Sequence, residues 1–163
     1  MNKKKVVTAG VVIIAAVCSQ PRNAAADAMV VKTVAEVESS SPGRGPHAVK
    51  LVPADRVGPG DQIVYTLEVR NTGATELVSP LVTNPVPEHM RYVAGSAVGP
   101  GAEVLFSADG GRTFDRADNL KVTGADGRSR TALAADYTHI RWRLKNSLKA
   151  NSVAFVRFRT VVK

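Results

Sequence analysis

The chain has 163 residues, 44% of them hydrophobic but only 5% aromatic, with 22 Lys+Arg against 14 Asp+Glu. That length allows one domain whose core is built from Val, Leu, Ile and Ala, and thirteen Gly with nine Pro favour strands and turns over helices. The single Cys excludes an internal disulfide framework.

Residues 1–28, "MNKKKVVTAGVVIIAAVCSQPRNAAADA", have the layout of a secretory signal peptide. Lys3, Lys4 and Lys5 open it, an apolar run from Val6 to Val17 follows, and small residues close it. The apolar run falls short of the ~20 residues that a transmembrane helix needs. Ala26-Asp27-Ala28 is the expected cleavage site, which leaves 29–163 as a single mature domain without a transmembrane span. Cys18 follows the branched Val17, with no Leu three positions before it, and reads as a passenger of the leader and not as a lipidation site. The leader carries four of the basic residues and one of the acidic ones, so the mature chain is about +5. Such a protein is expected in the periplasm or outside the cell, where nucleic acid is not its partner.

The elements follow in chain order. From Met29 to Ser41, Val31, Thr33, Ala35 and Val37 share one side of a period-2 pattern, which predicts a half-buried strand. "SSSPGRGPH" breaks it, and a short strand around Val49 to Val52 ends at Pro53. Ile63, Tyr65, Leu67 and Val69 then alternate with Gln62, Thr66, Glu68 and Arg70, interrupted only by Val64. "NTG" closes that strand, with Asn71 and Gly73 expected in positive-φ turn positions.

Pro80, Pro85 and Pro87 exclude a helix and allow only short or edge strands, one in "PLVTNPVP" and another in "MRYVAGSA". Val104 to Ser107 reads as a strand, Ala108 to Arg112 as a Gly-rich turn and Thr113-Phe114 as the return. A short strand is expected at Leu120 to Thr123. In "THIRWRLK", Ile140, Trp142 and Leu144 point inward and His139, Arg141, Arg143 and Lys145 outward; "VAFVRFRTVV" is the last strand. Eight or so short strands without a helical period predict an all-β chain, an immunoglobulin-like antiparallel β-sandwich with Trp142 between the sheets.

Two segments resemble a known family. "PGDQIVYTLEVRNTG" at 59–73 and "VTNPVPEHMRYVAGS" at 82–96 are similar to the conserved-repeat domain of bacterial exported and cell-surface proteins, filed as domain of unknown function 11. The likeness covers about 49–161 and lies in strand and turn signatures. Asn84 stands where that family usually has an acidic residue. The resemblance implies an immunoglobulin-like sandwich outside the cytoplasm with no established catalytic activity.

"SADGGRTF", residues 107–114, also fits the Asp box hairpin of sialidases and related propellers. The pattern needs no substrate. Asp109 accepts backbone N–H groups, Gly110 and Gly111 supply the tight turn and Phe114 anchors the hairpin, so a structural turn is expected. His47, His89 and His139 lack a paired metal spacing, and "VAGSAVG" lacks the setting of a nucleophile elbow. Asp115, Asp118, Asn119 and Asp126 make an oxygen-rich loop without the spacing of a calcium hand. No catalytic residue, cofactor or metal is expected.

The remaining candidate is a binding face. Arg141, Arg143 and Lys145 form one cationic stripe, Arg157 and Arg159 a second. Were the two strands paired, five cations would share a sheet face, and cross-strand repulsion would suit an anionic partner. The expectation is a non-catalytic envelope protein with a structural or binding role toward an anionic or proteinaceous component. An anionic glycan-binding or adhesion module is the alternative, and a calcium-binding surface domain a more distant one.

Overall fold

The computed structural model describes residues 28–40 and 49–163. Residues 1–27 of the expected leader, with Cys18, and the expected loop residues 41–48, with His47, lie outside the described residues. The described chain is nearly all β, with a short 3-10 turn at Ala134–Asp136.

The described residues form ten strands: β1 Met29–Ser40, β2 Val49–Pro53, β3 Gln62–Asn71, β4 Leu81–Pro85, β5 Met90–Tyr92, β6 Ala102–Ser107, β7 Lys121–Thr123, β8 Ser129–Thr131, β9 His139–Leu144 and β10 Val153–Val162. They form a five-stranded sheet ordered β2-β1-β3-β10-β5, a three-stranded sheet ordered β4-β9-β6 and a β7-β8 ribbon. Every pairing is antiparallel. Thr113-Phe114 forms no strand; the return of that hairpin is a single bridge between Phe106 and Asp115. The strand β8 lies in a polar run that the period-2 reading passed over, because none of its three residues is buried.

Alternation decides which side of each strand meets the core. Ile63, Tyr65, Leu67 and Val69 of β3 are buried, as are Ile140, Trp142 and Leu144 of β9 and Val156, Phe158, Thr160 and Val162 of β10. Both large sheets contribute to one hydrophobic cluster. Trp142 of the three-stranded sheet packs on Phe158 of the five-stranded one, centroids 5.9 Å apart, and Phe158 stacks on Tyr65 at 4.9 Å. A second aromatic group joins Tyr92, Phe106 and Tyr137 at one end of the core. A fully buried apolar side chain such as Phe158 stabilises the fold by about 1.5–3 kcal/mol. The indole Nε1 of Trp142 is the one buried side-chain polar atom without a protein hydrogen-bond partner among the described residues.

Val64 breaks the alternation, and its neighbours explain why. It sits on the outer side of β3, between Glu36 of β1 and Arg159 of β10, yet it has no exposed surface. Arg159 reaches across β3 to pair with Glu38 of β1 and donates to Gln62 Oε1 at 3.0 Å. Its aliphatic stem therefore lies over Val64, as long basic side chains often cover apolar surface.

The "NTG" segment is not the turn that was expected. Neither Asn71 nor Gly73 has positive φ. Asn71 ends β3 with its side chain fully buried. Its Nδ2 donates to the carbonyls of Thr75 (2.8 Å) and Leu148 (2.9 Å), and its Oδ1 accepts from Gly73 N at 2.9 Å. One amide thus ties the loop after β3 to the loop before β10.

Candidate functional site

The hairpin after β6 is organised by one carboxylate. Asp109 Oδ1 accepts from the Ser107 hydroxyl at 2.7 Å and from the backbone N–H groups of Arg112 and Thr113, both at 3.0 Å. Its Oδ2 accepts the Thr113 hydroxyl at 2.6 Å. Gly110 and Gly111 take φ of 77° and 84°, which only glycine adopts at little cost. The Thr113 hydroxyl, the Thr113 N–H and the Ser107 hydroxyl hold the Asp109 carboxyl far below the usual carboxylate range. A carboxylate whose two oxygens accept this many donors, and which stays ionised, is badly placed to act as a general base.

Phe114 is half-buried, and the guanidinium of Arg141 lies over its ring with Cζ 3.5 Å from the centroid. Arg141 Nε also donates to Thr83 Oγ1 at 2.9 Å. Burial, and then the neighbouring charge of Arg143, push the Arg141 guanidinium below its ordinary value.

The five proposed cations do not share a face. Strand β9 pairs with β4 and β6, whereas β10 pairs with β3 and β5. The connection between them crosses from one sheet to the other, pinned midway where Leu148 bridges Leu77. Because Trp142 and Phe158 face each other through the core, Arg141 and Arg143 point away from Arg157 and Arg159. The period of each strand fixes its own outward residues but says nothing about which sheet it joins.

Two of the cations are also ion-paired. Arg143 Nη1 meets Glu103 Oε2 at 3.0 Å, and the same carboxylate takes Arg116 at 2.6 Å. The Arg116 hydrogen bond, with the Arg116, Arg143 and Lys145 charges, lowers the Glu103 carboxyl from its ordinary value. Arg159 pairs with Glu38. Lys145, just past β9, is exposed and makes no ion pair among the described residues. Arg157 donates from Nε to Thr66 Oγ1 at 3.1 Å and likewise has no carboxylate partner among the described residues.

The sequence reading missed what lies beside Arg157. Thr66, Val98, Gly99, Pro100, Phe155 and Arg157 line a shallow groove of about 440 Å³ on the outer face of the five-stranded sheet. Phe155 is 53% exposed there and Val98 55%. Val98 bridges Arg157 through both backbone hydrogen bonds, so the Val98–Pro100 segment forms one wall. A signal for this existed. Phe155 shares the parity of Arg157 and Arg159 in "VAFVRFRTVV" and so had to face outward with them. Tyr92, on the neighbouring β5, is 3% exposed and belongs to the core.

Among the described residues no three His, Cys, Asp or Glu side chains gather as a metal site, and no helix is long and apolar enough to cross a membrane. Compared with known proteins, the chain matches no family model, no curated protein and no solved structure.

Proposed function

We propose that the chain is a non-catalytic, exported immunoglobulin-like β-sandwich that binds a protein component of the bacterial cell envelope through the outer face of its five-stranded sheet. The observation that carries this reading is Phe155. A large aromatic side chain stands 53% exposed on a sheet face, walled by Val98 and Pro100 and flanked by an arginine without a carboxylate partner among the described residues. Aromatic and Arg side chains are the residues that most often anchor protein interfaces. The export part of the reading rests on the leader-like residues 1–28, and the sandwich part on two antiparallel sheets that share one core. The five cations are divided between two faces, so the proposal does not depend on a basic patch.

The test uses the exported protein as bait against its own cell envelope, with Phe155→Ser, Arg157→Ser and Arg141→Ser/Arg143→Ser variants. Phe155 is exposed, so its replacement leaves the core intact. The expected result is one partner captured by the wild type and by the Arg141/Arg143 variant, and lost with Phe155→Ser. Loss only with the Arg141/Arg143 variant would move the site to the opposite sheet and restore an electrostatic reading.

A further inference from the structure

Ala28 is the residue after which the Ala26-Asp27-Ala28 pattern would have the leader cut. In the fold it precedes β1 and lies against the segment that follows β3. It is 8% exposed. Its carbonyl oxygen accepts both donors of Thr72, the backbone N–H at 2.6 Å and the hydroxyl at 3.0 Å. Strand β1 starts immediately after it, with Met29 opposite Asn71.

The same contact explains a glycine that the backbone does not otherwise need. Gly73 is not in the left-handed region. A Cβ built on it would come within 2.6 Å of the Ala28 Cβ and 3.3 Å of Asn71 Oδ1. Carbon atoms cannot approach so closely, so Gly73 is small because Ala28 sits on it. "Asn-Thr-Gly" is therefore a seat: Asn71 holds the loop in place from below, Thr72 binds the Ala28 carbonyl and Gly73 leaves room for its methyl group. A chain beginning at Met29 would lose both Thr72 bonds and leave the seat empty. Gly73 would then cost backbone entropy with nothing in return.

We propose that Ala28 is retained in the mature protein and that the leader is cut on its N-terminal side, after Ala26. The sequence offers the frame: Ala24-Ala25-Ala26 has the same small-x-small pattern as Ala26-Asp27-Ala28, and a cut there makes Asp27 the first residue. The two frames are alike as local motifs. They differ in the folded product, because only the upstream cut delivers a chain that fills the seat. This inference rests on the export reading made above and deepens it by fixing the processed end.

The experiment expresses the full Met1–Lys163 chain in a secretion-competent bacterial host, as wild type and as Gly73→Ala. Intact mass is measured on the exported product, followed by thermal unfolding. The expected result is a product that starts at Asp27, with a Tm lowered by about 5 °C in Gly73→Ala, where the new methyl group meets that of Ala28. A product that starts at Met29, with Gly73→Ala unfolding like the wild type, would overturn the inference while leaving export intact. A product that starts at Asp27 but tolerates Gly73→Ala would overturn the seat. An uncut, unexported chain would overturn the export reading, and the cut after Ala26 with it.

Discussion

The guanidinium of Arg141 lies over the ring of Phe114, Cζ 3.5 Å from its centroid, and joins the middle of β9 to the loop that follows the Asp109 turn. A side chain that reads in the sequence as a solvated cation is thereby held in place on an aromatic face and by Thr83. Phe114→Leu keeps apolar volume there and removes the ring quadrupole. Urea unfolding is expected to register a loss of about 0.5–1 kcal/mol. No loss would mean that the stack contributes nothing to stability.

Acid should weaken the fold through a few identifiable carboxylates. Asp109 is held far below the ordinary range by the Thr113 and Ser107 donors, and Asp136 is lowered to about 2 by the Arg130 hydrogen bond and then by the Leu133 N–H. A carboxyl depressed in the folded state stabilises it only while ionised. The contribution is complete above the unfolded value of about 3.9 and is lost as the pH falls through the folded values. Tm measured from about pH 5 down to about pH 2 should therefore fall, and fall less steeply in Asp109→Ala and Asp136→Ala. Parallel curves for wild type and variants would remove these two groups from the account.

Asn71→Ala removes a buried amide that satisfies two carbonyls and one N–H. The stranded groups belong to Thr75, Leu148 and Gly73, which join two loops. The expected cost is about 2–3 kcal/mol, read as a lower denaturant midpoint at unchanged slope. A cost near zero would mean that water replaces the amide freely and that the two loops are not tied by it.

Phe158 touches both Tyr65 and Trp142 and has no exposed surface. Truncation to Ala leaves a cavity at the centre of the interface between the sheets. A loss of about 3–5 kcal/mol is expected in equilibrium unfolding. The control is Phe155→Ala on the same strand. That side chain faces solvent, so its loss should stay within about 0.5 kcal/mol. Equal costs at the two positions would contradict the assignment of inner and outer faces.

Several local features were legible in the residues because they are set by nearest neighbours. The alternation in "QIVYTLEVRN", "HIRWRL" and "VAFVRFRTVV" places Leu67, Trp142 and Phe158 inward, where they are found. In "SADGGRTF" the short side chain of Asp109 lies within reach of the N–H groups three and four residues on, so that turn could be read from spacing alone. Other features depended on partners far away in the chain. Val64 reads as a break in a pattern until Arg159, from a strand near the end of the chain, is laid over it. Gly73 reads as a turn glycine until Ala28 is seated on it.

What the sequence determined by itself is the strand content, the inward side of each long strand and the chemistry of the Asp109 turn, since each follows from period-2 geometry or from contacts within a few residues. What only the tertiary structure decided is which strands are neighbours. That choice sent β9 and β10 to different sheets, separated Arg141 and Arg143 from Arg157 and Arg159, paired Arg143 with Glu103 and Arg159 with Glu38, and set Phe155 beside Val98 and Pro100. The physical reason is that strand pairing is a long-range choice, fixed by how two whole sheets bury their apolar faces together and not by any property of a single strand.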